Sequence, residues 1–188
     1  MLQTKRTLTI ILAVLLALPV LRAEEPLSTP RRNVRTSTDV LAVAMPAATL
    51  TTLLAMGDWQ GLKQGVFAAA TTIGATYILK YAVHKRRPDG SDDHSFPSMH
   101  TATVFADAAF LQRRFGWKVG IPAYALAAYV GWGRTFGRKH DWWDVAAGAA
   151  IGAGSAYLYT RPFAREHNLS IMPVTLPDGM GVAASFSF

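Results

Sequence analysis

The chain has 188 residues, enough for one domain with a real core and short for two. Hydrophobic residues make up 51% and charged residues 16%, which excludes a disordered chain, and the absence of cysteine excludes disulfide frameworks, thiol catalysis and Cys-ligated zinc. Nineteen Lys+Arg against 12 Asp+Glu leave a net charge of +7, which points to an anionic partner such as lipid headgroups, phosphorylated substrates or nucleic acid.

Residues 1–23 place Lys5 and Arg6 ahead of an apolar run from Leu8 to Leu21, followed by Arg22, Ala23 and Glu24. A charged start and a short apolar stretch are the layout of a secretory signal with Ala23 as the cleavage residue. Leu21 departs from the small-residue pattern that cleavage favours, so an uncleaved membrane anchor is the alternative. On either reading the chain beyond residue 23 begins outside the cytoplasm. Residues 24–37, "EEPLSTPRRNVRTS", are polar, basic and contain proline, and read as a linker.

From 38 to 165 the sequence reads as an all-α domain, an Ala/Gly-rich helical bundle. Five apolar segments, at about 39–56, 65–83, 101–112, 119–132 and 143–160, are each long enough for a helix and lack strand alternation. "GAAIG", Gly148 to Gly152, is a small-residue repeat that lets two helices approach closely in a membrane. Some segments fall short of the ~20 residues that span a bilayer, and mean hydropathy is only +0.18, so a soluble bundle competes. Charge nevertheless sorts by side. "RRFGWK" (113–118) and "TRPFAR" (160–165) carry cations without acids, as cytoplasmic loops do, which puts 84–100 and 133–142 on the opposite face. Trp59, Trp117, Trp142, Trp143, Tyr157 and Tyr159 lie near segment ends, where an aromatic belt sits. The expectation is a transmembrane bundle with its active site at helix ends. The tail, 166–188, has Pro-Asp-Gly between two alternating runs and reads as a short β-hairpin.

Three polar clusters fall at the ends of these segments. Lys80 and Arg87 lie on one helix face, or with Arg87 just past the helix end, and two converging cations suit a phosphate. Lys85 and Arg86 beside them read as a solvated basic helix end. Ser98 opens the third segment as an N-cap, and a helix start offers free N–H groups to an anion, with His100 in the first turn. The third cluster is "GRTFGRKHDWWD", Gly133 to Asp144. His140 and Asp144 lie on one helix face there, so the carboxylate can orient the imidazole, and histidine is a competent nucleophile. Asp141 and Asp144 read equally well as an N-cap and N3 pair. His140 with these acids and "DDH" at 92–94 is a weaker metal reading, since no zincin, EF-hand or Walker pattern is present.

Taken together, K-x6-R-P (Lys80 to Pro88), P-S-x-H (Pro97 to His100) and R-x5-H-x3-D (Arg134 to Asp144) resemble the type 2 phosphatidic acid phosphatase superfamily, over about a third of the chain. The resemblance implies His140 as the nucleophile that attacks phosphate, Asp144 as its orienting partner and His100 as general acid. It implies Lys80, Arg87, Ser98, the Met99 backbone and Arg134 as phosphate ligands, with no metal and no cofactor. The implied partners are a phosphorylated lipid substrate and the bacterial inner membrane, with the site facing the periplasm and no nucleic acid. Met99 stands where the family usually has Gly, and Gly133 where it usually has Ser. The competing readings are a soluble periplasmic acid phosphatase of broad specificity, a vanadium-dependent haloperoxidase, and a non-catalytic binder of anionic lipid or nucleic acid.

Overall fold

Five helices form the bundle among the described residues, which in this computed structural model are 27–163, 170–176 and 179–185. They are α1 (Thr29–Met56), α2 (Trp59–Ala82), α3 (Met99–Phe115), α4 (Trp117–Phe136) and α5 (Trp142–Tyr159). Each starts ahead of the apolar segment that signals it. The signal or anchor expected at 1–23 lies outside the described residues. Strands β1 (Ser170–Leu176) and β2 (Gly179–Ser185) pair antiparallel, with Leu176 opposite Gly179.

The linker expected over 24–37 is a correction: from Thr29 onward it is the first part of α1. Pro30 falls in the first turn, where its missing N–H leaves no hydrogen bond unmade. Arg35 then donates to the Asp89 carboxylate at 3.0 Å and to the Gly137 carbonyl at 2.6 Å, and Thr38 is fully buried. Contacts distant in sequence therefore hold this polar stretch in a helix that its own pattern does not specify.

α3 sits in the middle and touches each of the other four helices. Its Ala102, Val104, Ala108 and Ala109 have no exposed surface. α5 lies against it through Gly148 and Gly152, the glycines of the small-residue repeat. A Cβ on Gly148 would stand 2.6 Å from the Ser98 carbonyl oxygen, and one on Gly152 would collide with the Ala102 carbonyl oxygen and the Ala106 nitrogen. These are backbone atoms and cannot rotate away. Gly152→Ala is therefore expected to cost about 1–3 kcal/mol, the usual penalty of overpacking. Gly154→Ala in the same helix, where a Cβ meets nothing within 4 Å, should cost nothing. Thermal unfolding of the two variants side by side checks this.

Large apolar side chains are on the outside of the bundle and small ones within. Val43, Phe67, Ile78, Ile121 and Leu158 are exposed, whereas the core clusters are mostly alanine with Val104, Val130, Leu53 and Phe110. α1 has an 18-residue window of mean hydropathy 1.6, of which 22% is buried, and is the one described helix long and apolar enough to cross a membrane by that measure. Exposed tryptophans mark both ends of the bundle: Trp59 and Trp117 at one, Trp132, Trp142 and Trp143 at the other.

At the Trp59 end, Arg114 is buried and forked onto Asp58, Nε to Oδ2 at 2.8 Å and Nη2 to Oδ1 at 2.5 Å. Asp58 also caps α2 by accepting from Gly61 N–H at 2.8 Å. The stretch 113–118 holds no acid of its own, and Arg114 draws its partner from the turn between α1 and α2. Arg113 stays near the surface, over the Tyr157 ring.

Candidate active site

The site is built at the other end of the bundle, where α2, α4 and the N-termini of α1, α3 and α5 meet. α2 supplies Lys80 in its last turn and stops at Ala82. Lys80 Nζ donates to the carbonyls of His94 (2.8 Å) and Pro97 (3.0 Å), which fastens the loop leading into α3. Arg87 lies beyond the helix end, the second of the two placements its spacing allows. Its Nε reaches both oxygens of Asp92 at 2.8 Å, and its Nη1 comes within 3.3 Å of His140 Nε2.

Ser98 is the N-cap of α3. Its hydroxyl accepts from Thr101 N–H at 3.4 Å and from the Thr101 hydroxyl at 3.0 Å, and its own N–H donates to the Asp144 carbonyl at 3.0 Å. Met99 and His100 follow in the first turn, where backbone N–H groups lack intrahelical acceptors. Arg134 arrives from the last turn of α4 and is nearly fully buried. Its carbonyl accepts from Lys139 N–H (3.1 Å) and His140 N–H (3.2 Å), so the chain folds back on itself there. Arg138 makes the reversal in a left-handed conformation, φ 59°. The backbone thereby sets Arg134 and His140 side by side.

α5 begins with a capping box. Asp141 accepts from Trp143 and Asp144 N–H groups, and Asp144 Oδ2 accepts from Asp141 N–H at 3.1 Å. The carboxylate that caps α5 also lies 3.4 Å from His140 Nδ1. That contact is at ion-pair range and off hydrogen-bond alignment; Nδ1 is buried without another partner among the described residues. Asp144 has no exposed surface and also receives Lys85 Nζ on Oδ1 at 2.7 Å and the Ser95 hydroxyl on Oδ2.

Lys85 is a second correction. It is no solvated helix end but a bridge to Asp141 (2.5 Å) and Asp144 (2.7 Å), and those two carboxylates raise its pKa against the opposing effect of burial. Asp39 and Ser95 have no counterpart in the sequence reading. Asp39 is brought by α1 between Arg134 Nη1 and His100 Nε2, the latter at 3.0 Å. Its only sequence signal is a lone acid at the edge of an apolar segment. Gly133 also finds a reason here, since a Cβ would strike Thr38 Cγ2 of α1.

His140 is 3% exposed. Burial, with Arg87 and Arg134 adding to it, lowers its pKa from 6.5 to about 4 against the pull of Asp144, so the imidazole is neutral at pH 7. The unfolded chain takes up this proton near pH 6.5 and the folded chain only near 4. Stability from this group is therefore complete above pH 6.5 and is lost as the pH falls toward 4. Unfolding curves of the protein and of His140→Gln should diverge through that window, the substituted chain losing less on acidification. Parallel curves would contradict a neutral buried His140.

Fold and site together define a class: a helical bundle with a histidine-centred, cation-lined site on its helix termini. Residues 89–167 match the family model of the PAP2 superfamily, a span that holds Ser98, His100, Arg134, His140 and Asp144 and begins after Lys80 and Arg87. Over those residues the chain is similar to that superfamily. It is 33% identical over 127 residues to a Lipid A 4'-phosphatase of Helicobacter pylori, covering 62% of this chain and 64% of that protein. It is 37% identical over 76 residues to a Lipid A 1-phosphatase of Porphyromonas gingivalis, covering 39% of this chain and 17% of that protein. The chain thus spans less than two thirds of the length of these curated relatives. The crystal structure of Aquifex aeolicus LpxE superposes with a TM-score of 0.61 at 20% identity, over 72% of this chain and 88% of that one, and shares the fold.

Proposed function

We propose that the protein is a metal-independent phosphatase that hydrolyses a lipid phosphate or diphosphate through a phosphohistidine. The observation that carries this reading is the setting of His140: neutral, backed by Asp144 at 3.4 Å and faced by Arg87 at 3.3 Å, next to Arg134. Arg134 Nε is itself a buried donor with no acceptor among the described residues, which a phosphate oxygen would satisfy. Phosphoryl transfer passes through a state with charge spread over the equatorial oxygens, so fixed guanidinium groups and helix N–H donors supply most of the stabilisation. His140 Nε2 forms the bond to phosphorus while the ester P–O bond breaks, and His100 gives the departing alkoxide its proton. His100 then takes a proton from water as that water attacks; the P–N bond breaks, and inorganic phosphate leaves with His140 neutral again. Asp39, 3.0 Å from His100 Nε2, holds that ring in place.

The lipid substrate rests on the similarity to two lipid A phosphatases and on the outward-facing apolar side chains with tryptophans at both ends. The same features favour an inner-membrane protein, and the cations of 113–118 and 160–163, at the opposite end of the bundle, favour a site that opens on the periplasmic face. Purified protein is expected to release phosphate from at least one of phosphatidic acid, phosphatidylglycerophosphate, undecaprenyl pyrophosphate and lipid A phosphate. Vanadate should inhibit that release and EDTA should leave it unchanged. Release from none, or loss with EDTA and rescue by a divalent ion, would overturn the proposal.

A further inference from the structure

Between α1, α2 and α3, starting about one turn below His100 at Thr103, lies a cavity of about 220 Å³. Its walls are apolar, and its mouth, rimmed by exposed Leu50, Val66 and Ile73, opens on the apolar flank of the bundle. Among the described residues, one ionisable group lines it. Asp107 of α3 is 9% exposed, has Thr49 as a polar neighbour, and its Oδ2 has no hydrogen-bond partner among the described residues. A buried carboxyl oxygen without a donor is destabilising, and an ionisable residue inside an apolar helix marks a site by default. The active site does not use it. Asp107 lies nine positions past Ser98, about 13 Å of helix rise, and its Cβ tilts back toward the helix start.

We propose that this cavity seats an acyl chain of the lipid phosphate and that Asp107 accepts a hydrogen bond from a hydroxyl or amide N–H carried by that chain, several bonds below the phosphate ester. The proposal rests on the lipid phosphatase reading and adds the chemistry of the tail. The cavity begins where the headgroup would end, it opens sideways where a lipid stands, and its one unsatisfied group asks for a single donor in an otherwise apolar ligand. A site built around a buried acceptor discriminates against the analogue that lacks the donor, because the acceptor is then left unpaired.

The test uses the full chain in detergent micelles and two synthetic diacylglycerol phosphates of equal chain length, one with 3-hydroxyacyl chains and one with plain chains. The ratio of their kcat/KM values is expected to favour the hydroxylated lipid by about tenfold. In Asp107→Leu, or in Asp107→Ala should leucine disturb folding, the ratio is expected to fall to about one. Because the readout is a ratio within one protein, partial loss of folded enzyme does not mimic it. Equal kcat/KM values in the unsubstituted protein overturn the proposal, as does a preference that survives both substitutions. Equal values that become unequal when residues 1–26 are deleted would give the cavity to the chain's own N-terminal apolar segment and overturn it too. Turnover of an aryl phosphate with neither lipid cleaved would sink the lipid reading itself, a separate failure.

Discussion

His140→Ala is expected to abolish phosphate release from lipid and aryl phosphates alike, because in the proposed mechanism His140 Nε2, 3.3 Å from Arg87 Nη1, is the atom that bonds to phosphorus. Asp144→Asn should lose roughly 10²–10⁴-fold in kcat, the scale on which misorienting a catalytic histidine is felt. The larger part of that loss comes from orientation. Asp144 holds His140 on one side and receives Lys85, Ser95 and the Asp141 N–H on the others, so an amide there must turn an NH₂ toward one of these donors. Quenching the reaction in alkali, where phosphohistidine survives, separates the two variants. The unsubstituted protein should carry transient phosphate from labelled lipid, Asp144→Asn should carry it late and weakly, and His140→Ala should carry none. Turnover at the original rate in His140→Ala would end the phosphohistidine proposal.

The second large effect belongs to His100, and its size should depend on the leaving group. A lipid alkoxide is a poor leaving group in a partly apolar site and needs a proton as the P–O bond breaks. His100→Ala is therefore expected to cost about 10²–10⁴-fold on a lipid phosphate, the usual worth of general acid catalysis. An activated aryl phosphate departs without that proton, so formation of the phosphoenzyme should be nearly unaffected. Its hydrolysis should slow because the attacking water has lost its base, and a burst of aryl alcohol should appear. Arg134→Ala should slow both substrates alike, since the charge it meets lies on the phosphoryl group in each. Equal losses with both substrates in His100→Ala, with no burst, would make His100 a ligand or a support rather than the acid.

Much of this site was legible before any coordinates because its chemistry is carried by local spacings. Ser98 caps the helix that holds His100, and the apolar segments betray all five helices; His140, expected on one helix face with Asp144, instead lies just ahead of α5, whose first turn carries Asp144. What escaped notice comes from contacts across the fold. Asp39 acquires a partner only when α1 packs along α4, and Lys85 looks like a surface cation until the loop after α2 swings it onto the start of α5. The polar beginning of α1 was misread for the same reason, since Arg35 is held by Asp89 and Gly137. The Arg114–Asp58 pair could not be read either, because the two residues lie far apart in sequence. Gly133 departed from the family pattern without apparent cause until Thr38 was seen to press on it.

The Asp144 carboxylate closes the capping box of α5 with an oxygen that also faces His140. In the proposed mechanism architecture and chemistry therefore draw on one atom, and this would restrict how the position can drift over evolutionary time. Glutamate would carry the charge one carbon too far to meet the Asp141 N–H and the imidazole at once. Asparagine keeps the length and forfeits the charge that faces Lys85. A residue with only one of these duties could be relieved of it by a compensating change nearby. Here two neighbours would have to change together, through intermediates that lose either the helix start or the ring's alignment. Position 144 is locked by its double employment, and Lys85 and Ser95 are tied to it as the donors that keep its carboxylate in place.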